Sequence, residues 1–154
     1  MAPGNPKGPR GIRNNNWLNI RYNPANNWDG QTGADPDGFA IFSTPEFGIR
    51  AAAKLITNYR DFHGIDTIRG IIERWAPDSE NNTDAYIQHV SDYLHYDPDL
   101  PIDLDVYMSL LLHIMAVHEN GRMALPGNTE DVIGPGMELA GYARPSPITY
   151  AGIS

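Results

Sequence analysis

Among the residues able to move a proton, Glu119 has the most telling position, in the run His118-Glu119-Asn120-Gly121. It closes a stretch containing Leu110, Leu111, Leu112, Ile114, Met115 and Val117, which reads as helix, with Gly121 as the stop signal. Apolar surroundings and the negative end of a helix dipole both disfavour an ionised carboxyl there. A carboxyl that stays protonated near neutral pH can act as a general acid and, once emptied, as a base. A Glu at a frayed helix end is otherwise simply solvated, and helix position alone does not separate the two readings. Glu80, in the irregular stretch Pro77 to Asn82, is a possible second carboxylate. With Glu119 it would form the acid pair of a two-carboxylate glycosidase; alone it is a solvated residue.

Other chemistries fit less well. His113 and His118 are five apart with Glu119 after the second, which is not the H-E-x-x-H spacing of a zinc peptidase. Asp35-Pro36-Asp37-Gly38 and the series Asp97, Asp99, Asp103, Asp105 carry fragments of calcium loops without the remaining ligand spacing. No G-x-S-x-G element is present, and the absence of Cys removes thiolate nucleophiles and Cys-bound zinc. No cofactor is implied.

The framework that must hold these residues reads as mainly α, with a small strand and loop region. Ser43-Thr44-Pro45-Glu46 has the form of a capping box, with Ser43 as N-cap and a helix from Pro45 to Phe62 ended by Gly64. Asp66 or Thr67 caps a second helix through Ile68, Ile71, Ile72 and Trp75, which must stop before Pro77. Thr83-Asp84 opens a third, carrying Tyr86, Ile87, Val90, Tyr93 and Leu94. Asp103 caps the apolar helix from Leu104 to Glu119. Asn128 or Thr129 starts a last helical region to Tyr142, with an interruption expected at Gly134-Pro135-Gly136. From Ile12 to Phe42 the chain is rich in Asn, Asp and Gly, which suggests loops and short strands, the last at Phe39 to Phe42. Trp17, Tyr22, Trp28 and Phe42 are either core or walls of a groove, and Phe42 is the groove candidate because it directly precedes the capped helix. The expected organisation is a flexible tail at 1–10, one domain at 11–142 and an extended tail at 143–154.

A chain of 154 residues is enough for one core. Its net charge of −8 repels phosphate backbones and anionic lipid, which argues against nucleic acid as a partner. No run approaches the ~20 apolar residues needed for membrane insertion, and the N-terminus lacks the apolar segment of a signal peptide.

Three blocks carry a resemblance to lytic transglycosylases: Ser43 to Ile56 with Tyr59 and Phe62-His63-Gly64, then Asp84 to Val90, then Ala116 to Gly121. The last is similar to that family's catalytic helix end, with Asn120 in place of the usual Ser. In the family the Glu-bearing helix comes first, so the order here looks circularly permuted. Asn15 to Arg21, Trp28-Asp29-Gly30 and Phe39 to Ser43 are similar to flagellar-type glucosaminidases. The pattern as a whole most resembles phage and prophage lysis-associated proteins, including the virion lysins of enveloped double-stranded RNA phages. Many of those have Pro-Gly where this chain has Trp17-Leu18.

The resemblance implies a lysozyme-like helical domain that cleaves the β-1,4 bond between N-acetylmuramic acid and N-acetylglucosamine, with Glu119 as acid and base. It assigns Tyr86 to orienting Glu119 or the substrate, and Asn120 to holding the sugar or the carboxyl, though the two could equally be a packed ring and a local cap. The implied partners are peptidoglycan glycan strands and other virion proteins, and the implied location is the phage particle or infected host, acting at the cell wall. Cleavage of the peptide cross-link and a non-catalytic, wall-binding structural role are the alternatives. Glu119 should then lie at the floor or edge of a groove between the helix that begins near Ser43 and the helix that carries Tyr86.

Overall fold

In the computed structural model, which describes residues 8–79 and 81–143, the chain enters through a single helical turn, α1 (Arg10–Arg13). Most of both expected tails, and Glu80, lie outside the described residues. The Asn-rich segment after α1 is buried and not a surface loop. Asn16 donates from Nδ2 to the carbonyls of Ile20 and Ala40, both at 2.9 Å, and its Oδ1 accepts from the Ile20 amide. Asn15 donates to the Phe42 carbonyl at 3.1 Å, and Asn14 to Asp35 at 2.9 Å. The Asn15 and Asn16 amides satisfy backbone groups that would otherwise be buried without partners.

They brace a two-stranded antiparallel sheet, β1 (Gln31–Ala34) with β2 (Ala40–Phe42), in which Gln31 faces Phe42 and Ala34 faces Ala40 across a bulge. Strand β2 lies inside the expected Phe39 to Phe42 strand.

Five longer helices follow. In α2 (Pro45–His63) the cap is Thr44, whose hydroxyl accepts from the Phe47 amide, and not Ser43. Pro45 occupies the first turn, where a missing N–H goes unnoticed, and Gly64 closes the helix at φ 66°. Thr67 caps α3 (Ile68–Trp75), Asn82 caps α4 (Thr83–Leu94) and Asp103 caps α5 (Leu104–Asn120). A short 3-10 turn at Arg122–Ala124 leads to α6 (Glu130–Leu139). That helix runs unbroken past Pro135 and stops short of Tyr142, so the expected interruption is absent.

Helix α5 is the axis of the core. Leu104, Met108, Leu111, Leu112, Met115 and Ala116 are wholly buried on it, and it packs against α1, α2, α4 and α6. The fold is therefore mainly α with a small sheet, as the sequence suggests. Among the described residues no helix is long and apolar enough to cross a membrane.

Candidate active site

Helix α5 delivers Glu119 in its last turn, where the backbone can no longer screen it and two side chains meet it. Asn19 donates from Nδ2 to Oε1 at 2.9 Å, and the Tyr86 hydroxyl donates to Oε2 at 3.0 Å. Burial pushes the Glu119 carboxyl above its ordinary pKa, and the two donors pull it back only in part because they favour the anion. The group is thus biased towards holding a proton, yet has two donors ready for the charge that appears when the proton leaves.

Each donor is held from outside the site. Asn19 sits in the left-handed region at φ 53°, a conformation Asn tolerates better than most residues. Its neighbours are fixed by the Trp75 indole, which donates to the Leu18 carbonyl at 3.0 Å, and by Asn120, which donates to the Trp17 carbonyl at 2.7 Å. Tyr86, on α4, is almost fully buried, which drives its hydroxyl well above the usual phenol pKa and keeps it a donor. The His118 ring stacks on the Tyr86 ring, centroids 3.8 Å apart and planes 20° from parallel. His118 in turn meets His89 through their Nδ1 atoms at 2.9 Å, and its pKa is lowered by burial and then by His89.

Glu119 and Asn19 open onto a groove of about 520 Å³. Its walls come from the N-terminal segment (Ile20, Phe39), from α2 (Leu55, Tyr59) and from α3 with the turn after it (Trp75, Pro77). Tyr59 and Trp75 meet edge to face at 6.2 Å, so the wall presents aromatic surface of the kind that sugar rings pack on. Helix α2 thus borders the groove as expected. The other wall is α3 with the N-terminal segment, while α4 supplies Tyr86 from behind Glu119.

Two of the expected site residues belong elsewhere. Phe42 is 0% exposed: alternation along β2 turns Ala40 and Phe42 inward, and the groove aromatics are Phe39, Tyr59 and Trp75. Asn120 does not line the groove; its Nδ2 ties the α5 end to the Trp17 carbonyl and to Ala116, a packing role. A Cβ on Gly11 would lie 2.3 Å from Asn120 Oδ1, so the α1 turn closes directly over this amide. The residue sequence reasoning missed is Asn19, a hundred positions from its partner. The only local signal was the dense Asn content of its segment. Among the described residues no group of three or more His, Cys, Asp or Glu side chains could hold a metal ion.

No sequence-family profile matches the chain. It is 35% identical over 136 residues to protein P5 of Pseudoalteromonas phage PM2, an alignment covering 86% of this chain and 82% of that protein. At that identity and coverage, the chain belongs to the same family as protein P5 of Pseudoalteromonas phage PM2.

Proposed function

We propose that this chain is a phage protein that cleaves the β-1,4 bond between N-acetylmuramic acid and N-acetylglucosamine, as a lytic transglycosylase or muramidase. The observation that carries the reading is a carboxyl biased towards its protonated form and opening onto an aromatic-walled groove, with one donor aimed at each of its oxygens. Glu119 gives its proton to the glycosidic oxygen as the C–O bond breaks, and the new carboxylate is stabilised by Tyr86 and Asn19. The carboxylate then recovers a proton from the nucleophile that attacks the anomeric carbon. That nucleophile is the muramyl 6-hydroxyl in a transglycosylase, giving a 1,6-anhydro product, and water in a muramidase. The one-carboxyl route asks only for Glu119 at the groove, whereas a two-carboxylate hydrolase would also use Glu80, which lies outside the described residues. Kinship with a phage protein supports a place in the phage particle or infected host; the periplasmic wall as target belongs to the glycan-cleaving reading alone.

A second reading is that the chain is a structural phage protein that binds wall glycan without cutting it. Kinship with protein P5 favours it, since that kinship supports a phage role and carries no reaction. Mass spectrometry of digested sacculi separates the readings. Anhydro-muropeptides indicate transglycosylation and new reducing ends indicate hydrolysis. New amino termini with intact glycan indicate an endopeptidase, and binding without products indicates the structural role.

Tyr86→Phe is expected to slow cleavage roughly tenfold with little change in melting temperature, because the ring and its stack on His118 remain while one donor to the anion is lost. Losing a donor to the ionised form raises the Glu119 pKa further, so the pH–rate limb assigned to Glu119 should move to higher pH. An unmoved limb with full activity would leave Tyr86 as packing only.

A further inference from the structure

The rings of Tyr86, His118 and His89 form a chain that leads away from Glu119 and lies outside the groove lining. Tyr86 donates to Glu119 Oε2, the His118 ring lies nearly flat on the Tyr86 ring, and the two imidazoles meet through their Nδ1 atoms at 2.9 Å. Such a contact needs one ring to carry a proton on Nδ1 and the other to offer its lone pair there. One proton fits between the rings and a second does not. Burial disfavours a cation on half-buried His118, whereas water surrounds the exposed His89. The first added proton therefore settles on His89, whose Nδ1–H donates to neutral His118 in a charge-assisted bond that strengthens the contact. His118 then already bears its own proton on Nε2, so a further proton has only the Nδ1 lone pair to take. Taking it destroys the bond and sets two like charges against each other.

The surroundings leave this repulsion in place. Among the described residues the charge that bears on His118 is that of His89, and both titratable groups against the ring, His89 and Tyr86, come from α4. Other charges around α5 are engaged elsewhere. Arg122 of the 3-10 turn and Glu130 of α6 act on His113, Arg10 of α1 pairs with Asp35 and Asp37, and Arg50 of α2 pairs with Asp29. Glu119, next in the chain, directs its oxygens to Asn19 and Tyr86. A doubly charged pair separates, and a His118 cation that turns to water leaves the Tyr86 ring without its clamp.

Resting on the glycan-cleaving reading above, we infer that His89 is a positioning residue: with His118 it forms a latch that holds Tyr86 on Glu119, and cleavage slows when the latch takes up its second added proton. The latch acts on the acid side of the pH profile, whereas loss of the Glu119 proton acts on the alkaline side.

The test is the pH–rate profile of sacculus cleavage, with the imidazole signals of His89 and His118 followed by NMR in the same buffers. The parent should slow by up to roughly tenfold, the worth of the Tyr86 donor, in step with the His118 signal and below the ordinary histidine range. In His89→Ala the His118 ring loses both the cation and the bond that keep it neutral, so it takes its proton at higher pH and the acid limb follows upward. At the pH where the parent is half-active, that variant should be roughly two- to threefold slower. His89 is exposed, so its removal should leave the fold intact. In His118→Phe a flat ring stays against Tyr86 but cannot titrate, so this limb should vanish whatever the rate at the optimum. An acid limb unmoved in His89→Ala, or retained in His118→Phe, overturns the latch while cleavage by Glu119 stands. Absence of cleavage at every pH overturns the latch and the glycan-cleaving reading together.

Discussion

Replacing Glu119 by Gln should lower glycan cleavage by roughly 10²–10⁴-fold while glycan affinity stays close to that of the parent. An amide matches the carboxyl in size but cannot deliver and recover a proton, so the loss falls on the chemical step. The local hydrogen bonding survives. The new amide oxygen can accept from the Tyr86 hydroxyl, and its N–H group can turn to Asn19 Oδ1, which is buried without a partner in the parent. Stability should respond in the opposite sense to activity. The folded-state pKa of Glu119 is raised, so between its ordinary value and the folded value the native protein binds more protons than the unfolded chain. Stability therefore falls as pH rises through that window, and above it the whole cost of ionising a partly buried acid is present. The amide does not titrate and escapes that cost. At neutral pH the variant should melt at the same temperature as the parent or higher, and the difference should close as pH falls towards the usual carboxyl range. Full cleavage activity in Glu119→Gln would sink the assignment, whatever the melting curves show.

How much of this site the sequence carries depends on how local its physics is. Helix ends were legible because capping is a matter of a few adjacent residues: Asp103, Thr67 and Gly64 each act where the pattern puts them. Glu119 was legible for the same reason, as the last residues of one apolar run before a glycine. The two misplaced features mark the limit of that logic. Phe42 precedes α2, but which way it points is set by strand alternation and by what β2 packs on, not by its distance from the cap. Strand β1, Gln-Thr-Gly-Ala, has almost no strand-forming composition, and its pairing with β2 imposes its shape. Least legible was the Asn-rich segment. Composition reads Asn14, Asn15, Asn16 and Asn19 as turn residues, because short amides do serve turns. Here three of them are buried, Asn15 and Asn16 as ligands of backbone groups and Asn14 as a donor to the Asp35 carboxylate, and the fourth reaches a carboxyl on α5. Tyr59 and Trp75 have nothing in their local sequence to mark them as groove residues, and only their edge-to-face contact, made between α2 and α3, brings them to a common wall.

That Asn-rich segment leads to a large stability effect from a small change. Gly48→Ala should destabilise the protein by roughly 2–3 kcal/mol and lower its Tm by roughly 5–10 °C. Helix propensity alone argues the other way, since Ala is favoured over Gly inside a helix by about 1 kcal/mol. Space decides the sign. A Cβ at Gly48, in the second turn of α2, would lie 2.4 Å from the Asn15 carbonyl oxygen and 3.4 Å from Asn16 Cα, both backbone atoms that no rotamer change can withdraw. Retreat of the segment is blocked in turn, because Asn15 is held to the Phe42 carbonyl and Asn16 to Ile20 and Ala40. Either α2 lifts off or those buried hydrogen bonds break, and each outcome costs more than the helix gains. Asn19 follows only four residues after Asn15 and takes its position from the same segment, so cleavage should fall by more than the unfolded fraction explains. Gly127→Ala is the matched control: a Cβ there meets nothing within 4 Å, so thermal melts should show no loss. A Gly48→Ala protein that melts with the parent would mean that α2 does not dock on the Asn15 backbone, and that Asn19 is steered to Glu119 by something other than this close approach.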